Sequence, residues 1–208
     1  MQANTSTPTS SAPSDGGAAG GFRWRTVDIV VVAVLGAAFG VVFWGWNSLY
    51  EGVANVIPLP AKAFMYGVWL LPAVLGPLII RKPGAGIFCE LVAASVETLF
   101  GSSWGLVTLA YGVLQGMAGE FGFAITAYRI WRRPTALTGG ALAGAAAALL
   151  DLALYYPSYS TGWQIGYLAI VVVSSALIAG LGGYALTRAL AQTGALDPFP
   201  SGRERALV

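Results

Sequence analysis

The sequence predicts an all-α fold, an integral membrane bundle of six transmembrane helices with the N-terminus and C-terminus cytoplasmic. Three observations lead there. Hydrophobic residues fill 56% of the 208 positions and charged residues 10%, against roughly 45–50% and about 25% in soluble domains. The apolar residues gather into six runs, each near the 20 or so residues a helix needs to cross about 30 Å of hydrocarbon. With the N-terminus inside, ten of the eleven Lys and Arg residues fall on the cytoplasmic side and only Lys62 outside, the bias that orients membrane helices.

Residues 1–22 are mostly Ser, Thr, Pro, Gly and Ala, a mixture too poor in large apolar side chains to build a core, and are expected as a disordered cytoplasmic tail. The membrane domain is expected over 23–194 and a short cytoplasmic tail over 195–208. The first run, 27–46, follows Arg23 and Arg25. It is too long for a signal-peptide core and lacks a small-x-small cleavage site, so it is expected as a retained span. The longest connection, 47–62, leads to the second run, 63–80, which stops at Arg81-Lys82-Pro83-Gly84. The third run, 84–100, ends at Gly101-Ser102-Ser103-Trp104-Gly105, and the fourth, 106–128, at Arg129 and Arg132-Arg133-Pro134. The fifth, 135–156, ends in the turn-rich 157–162 segment, and the sixth, 163–189, contains Arg188. The outer ends carry Trp44, Trp46, Tyr50, Tyr66, Trp104, Tyr155, Tyr156, Tyr159 and Trp163, as interfacial aromatic belts do.

Several functions are excluded. The chain has no histidine and a single cysteine, Cys89, so histidine triads, zinc sites and an internal disulfide are absent, and no cofactor or metal is expected. A net charge of +2 is too slight for a nucleic-acid binder. No glycine-rich phosphate loop exists to support ATP hydrolysis, and the chain is not expected to be an enzyme. On the first run Ala33 and Ala37 lie four apart, and Gly36 and Gly40 form a second small pair. Such residues let helices approach closely, within the bundle or against a partner subunit, and all four are candidates for a partner interface.

Four acids stand inside apolar runs: Glu90, Glu97, Glu120 and Asp151. Each is costly in lipid, so they should face the bundle interior and meet polar partners or a cationic ligand. On an outward-running third helix Glu97 lies near the outer end and Glu90 about 10 Å deeper on the same face. Asp151 lies in the outer half of the fifth helix, and on the fourth Gln115 is near mid-depth with Glu120 deeper. Glu97 and Asp151 are therefore candidates for an outward pocket, Glu90 and Glu120 for an inner polar network. Tyr111 and Gln115 share a helix face. With Trp46, Asn47, Tyr50, Tyr66, Trp69, Trp104, Tyr155, Tyr159 and Trp163 near the mouth, the carboxylates and rings suit a small planar cation through hydrogen bonds and cation–π contact.

Arg81-Lys82-Pro83-Gly84-Ala85, the run from Glu90 to Glu97, Gly112-Val113-Leu114-Gln115-Gly116 followed by Glu120, Asp151-Leu152 and the stretch around Tyr159 to Tyr167 carry a resemblance. Over residues 24–194 the chain resembles the YkoE-like thiamine or hydroxymethylpyrimidine permease family, substrate-binding membrane subunits of energy-coupling-factor (ECF) transporters. The resemblance implies a six-helix subunit in a prokaryotic plasma membrane that binds thiamine or its pyrimidine moiety from outside. It also implies an integral membrane coupling (T) protein and two cytoplasmic ATPase subunits as partners. An acidic side chain meeting the aminopyrimidine is carried to Glu97, with Trp and Tyr partners. Three small residues at four-residue spacing, which in such subunits contact the coupling protein, correspond to Ala33 and Ala37, with Val41 at the third position. The alternatives are a proton- or ion-coupled secondary carrier for a small organic cation, an intramembrane enzyme and a purely structural subunit.

Overall fold

The computed structural model describes residues 22–203 except 55, 59 and 60, so most of the expected N-terminal tail and the last five residues lie outside the described part. Among the described residues the fold is all helical, and the elements join into six columns. The first is α1 (Thr26–Ala54). A 3-10 helix over Ala61–Leu70 runs into α2 (Leu71–Ile80) as the second column. Helices α3 (Ala85–Leu99), α4 (Val107–Ala124) and α5 (Arg133–Leu154) are the next three. The last joins α6 (Thr161–Ser175), a π-helical segment over Ala176–Gly182 and α7 (Gly183–Gln192), followed by the one-turn α8 (Pro200–Arg203). This is a multi-pass membrane bundle.

Four columns are long and apolar enough to cross a membrane: Thr26–Val53, Ala61–Ile80, Arg133–Leu154 and Thr161–Gln192. Helices α3 and α4 fall short of that standard. Fifteen residues of α3 rise only about 22 Å, and both helices carry carboxyl groups on buried faces. The second column is the central one, with 72% of its apolar stretch buried against 28–39% in the other three. It touches α3, α4, α5, α7 and α8.

Small residues set these contacts. A Cβ on Gly36 would lie 2.7 Å from the Cys89 carbonyl oxygen, and one on Gly40 2.5 Å from Val96 Cβ. These glycines therefore seat α1 on α3. That corrects the expectation that Gly36 and Gly40 belong to a partner interface, because the internal helix crossing already fills the space. Ala33 and Ala37, by contrast, remain half-buried beside exposed Val30 and Val34.

The expected boundaries also shift. Helix α1 continues eight residues past 46, so Asn47 and Tyr50 lie on a helix rather than in a connection. The stretch 47–54 contains no proline, and Pro58 lies only beyond the helix end.

One end of the bundle is tied by charge. Asp28, in the first turn of α1, accepts the Arg25 backbone N–H at 2.8 Å, the reciprocal half of a capping box. It also meets Arg25 Nη2 at 2.8 Å and Lys82 Nζ at 2.5 Å. Lys82 further donates to the Arg23 carbonyl at 2.5 Å, and Trp24 Nε1 to the Pro83 carbonyl at 3.1 Å. Leu196 and Phe199, from the segment after α7, are buried against Val32, Ile79 and Ile80. Ser201 donates to the Ile79 carbonyl at 3.2 Å. We refer to this as the basic end and to the opposite one as the aromatic end.

Candidate ligand-binding site

A cavity of about 460 Å³ opens between the columns at the aromatic end. The 3-10 helix explains much of its wall. At three residues per turn Ala63, Tyr66 and Trp69 fall in one row, and the two rings, 5.5 Å apart, line the cavity together. An ordinary α-helix would have separated them by an angular step at every turn.

The first wall is built around Glu97. Trp69 Nε1 donates to Asn47 Oδ1 at 2.9 Å, and Asn47 Nδ2 donates to Glu97 Oε1 at 2.7 Å. An indole nitrogen can only donate, so it sets which way the Asn47 amide points and leaves the NH2 for the carboxylate. Ser102 Oγ adds a bond to the same oxygen at 3.2 Å. Trp69 is the hub of the ring cluster, with Tyr50 at 5.0 Å, Trp104 at 6.0 Å and Trp46 at 6.5 Å.

Asp151 on α5 organises the opposite wall. Tyr111 of α4 donates to Oδ1 and Tyr167 of α6 to Oδ2, each at 2.5 Å, and Tyr66 reaches Oδ1 at 3.4 Å. Three phenols from three columns thus converge on one carboxylate, which places the rings as well as satisfying the charge. Tyr167 is backed by Trp163, stacked 5.4 Å away with the planes 6° apart.

Glu90 and Gln115 line the deeper part, beside Gly112. Glu90 Oε2 accepts the N–H of Ala73, in the first turn of α2, at 2.8 Å. Such first-turn groups lack an intrahelical partner.

The expected residues therefore divide. Glu97, Asp151, Gln115, Tyr111, Tyr50, Tyr66, Trp69, Trp104 and Tyr155 line the cavity. Asn47, Trp46 and Trp163 stand behind its walls: Asn47 holds Glu97, Trp46 Nε1 donates to the Met65 carbonyl at 3.2 Å, and Trp163 backs Tyr167. Tyr159 is exposed and packs on Trp163 at 4.2 Å. Glu90, expected in an inner network with Glu120, lines the cavity instead, because the central column brings Ala73 to it. Glu120 stays at the basic end, where it accepts the Gly84 and Gly86 N–H groups at 2.7 and 2.6 Å. Burial together with the Glu120 carboxylate pushes the Tyr128 phenol up to about 12.

Sequence reasoning missed Phe43, Glu51, Lys62, Ala94, Ser103, Thr108, Gly112, Tyr156 and Tyr167 among the lining residues. Tyr167 had a signal, four residues after Trp163 inside an apolar run. Lys62 had another, as the one basic residue that the charge pattern expects on the outer side.

Comparison with known proteins agrees with this architecture. The family model described as the permease component of ABC-type cobalt transport systems matches residues 27–146. The putative HMP/thiamine permease protein YkoE of Bacillus subtilis (strain 168) is 32% identical over 182 residues, 87% of this chain and 92% of that protein. A crystal structure of an S-component of an ECF transporter superposes with a TM-score of 0.85 at 32% identity, covering 88% of this chain and 94% of that one. With its helical bundle, its cavity at the aromatic end and these matches, the chain belongs to the YkoE-like family of ECF-transporter S-components.

Proposed function

We propose that this chain captures thiamine or its hydroxymethylpyrimidine moiety from outside, as the non-catalytic substrate-binding subunit of an ATP-driven importer. The observation that carries this reading is the cavity itself. Its 460 Å³ lies within the about 300–1,000 Å³ usual for small organic ligands, and carboxylates alternate there with aromatic rings. The name of the Bacillus subtilis relative, an HMP/thiamine permease, supports the same ligand class. The cobalt in the family description is a poorer fit to the residues. The chain has no histidine, its one cysteine is buried, and the described residues hold no group of three metal-ligating side chains.

In this reading all six columns span the membrane, both termini are cytoplasmic and the cavity faces outward. Glu97, oriented by Asn47, accepts from the exocyclic amine of the pyrimidine. Trp69, Tyr50, Tyr66 and Trp104 supply ring contacts on one side, and Asp151 with Tyr111 and Tyr167 forms the other. Gln115 and Glu90 line the floor. The half-buried Ala33 and Ala37 on α1 meet an integral membrane T protein, and two cytoplasmic ATPase subunits drive the cycle. Release requires a state in which some of these contacts are lost, since equal binding in both states shifts no equilibrium.

The test is equilibrium binding of radiolabelled thiamine and of hydroxymethylpyrimidine to the purified protein in detergent, without ATP. Saturable binding of at least one is expected. Absence of saturable binding for both overturns the proposal. Uptake that persists in vesicles lacking every ATPase and collapses with an ion gradient would instead identify an ion-coupled carrier.

A further inference from the structure

Lys62 breaks two placement rules at once. Among the described residues it is the only basic one at the aromatic end, and it sits in the first turn of the 3-10 helix, where the positive end of the helix dipole disfavours a cation. What holds it is the cavity mouth. Its Nζ lies 4.4 Å from the centroid of the Tyr50 ring, within the range of a cation–π contact. Tyr50 in turn packs on Trp69, the hub of the ring cluster.

The charge around Lys62 makes its position consequential. The lining includes four carboxylates, Glu51, Glu90, Glu97 and Asp151, and Lys62 is its only basic residue. The hydrogen-bond donors that meet the three deeper acids are all neutral: an amide and a hydroxyl for Glu97, three phenols for Asp151, a backbone N–H for Glu90. Glu51 at the mouth is bonded to the Ser103 hydroxyl. Ionised carboxylates in such a lining favour a cation. The protein's own ammonium therefore occupies the ring that an incoming cation would use, and repels that cation at short range.

We propose that Lys62 is a specificity-determining residue, a tethered cation that lowers the preference of the cavity for positively charged ligands relative to neutral ones carrying the same pyrimidine. This rests on the functional reading above. In that setting it sets the balance between thiamine, whose thiazolium is permanently positive, and the uncharged hydroxymethylpyrimidine.

The experiment measures dissociation constants for both ligands in detergent at low salt, for the wild type, Lys62→Met, Lys62→Gln and Lys62→Arg. Removing the charge should tighten thiamine binding about tenfold and change pyrimidine binding less than twofold, whereas Lys62→Arg should keep the wild-type ratio. Retained pyrimidine binding also reports that each variant is folded, and the Gln variant supplies a second neutral side chain if the Met variant fails to fold. An unchanged or weakened thiamine affinity in the neutral variants, or an equal shift for both ligands, overturns the role of Lys62 while leaving the functional reading standing. Saturable binding of neither ligand by any of the proteins overturns the functional reading and this proposal with it.

Discussion

The two ends of the bundle use the same residue types to opposite effect. At the basic end, Asp28 and Glu120 are buried, and their oxygens are taken by Arg25, Lys82 and the backbone N–H groups that open α3. At the aromatic end, Glu97 and Asp151 are equally buried, yet their partners are an amide, a hydroxyl and phenols arranged around an open cavity of about 460 Å³. A carboxylate bound by helix-end N–H groups away from the cavity satisfies backbone that would otherwise be unpaired. One held by side chains beside a void faces the space a ligand would fill. Burial alone does not separate the two cases; the kind of donor does. Glu90 is intermediate, since it closes the start of α2 and lines the cavity at once.

Breaking the basic end should cost stability before binding. Glu120→Ala leaves the Gly84 and Gly86 N–H groups unpaired, each worth about 1–3 kcal/mol when buried. Its thermal unfolding midpoint in detergent should fall by more than that of Glu97→Gln or Tyr159→Ala, while the folded protein keeps its affinity within about threefold. A large loss of affinity in folded Glu120→Ala would erase the distinction between the ends.

The converse substitution sharpens it. Glu97→Gln still offers an oxygen to Asn47 but loses the charge that meets the ligand in the proposed function, so affinity for the pyrimidine should drop about 10- to 100-fold, with little change in the unfolding midpoint. Equilibrium binding beside a melting curve reads both quantities on the same sample. The smallest effect is expected at Tyr159, which is exposed and outside the lining. Tyr159→Ala should alter affinity less than twofold, and a larger change would extend the ligand contacts beyond the Tyr167 wall.

Much of this organisation is legible in the amino-acid sequence. The apolar runs, the Arg81-Lys82-Pro83-Gly84 break and the four acids follow from transfer energetics that act residue by residue, and so leave their mark in one dimension. Depth along a helix is equally local, and it put Glu97 and Asp151 together at one end and Glu120 at the other. What tertiary structure decided was everything that depends on a neighbour. Gly36 and Gly40 have no preference for α3 or a partner until a helix is laid against them. Asn47 reads as part of a connection until Trp69 and Glu97 are found on either side of its amide. The row of Ala63, Tyr66 and Trp69 exists only because the second column begins with three residues per turn, a choice its apolar composition does not encode. Hydropathy thus determined which segments enter the membrane and which acids had to find partners there. Packing around the central column determined which partners those were, because hydrogen bonds and ring contacts depend on distances of a few ångströms between residues far apart in the chain.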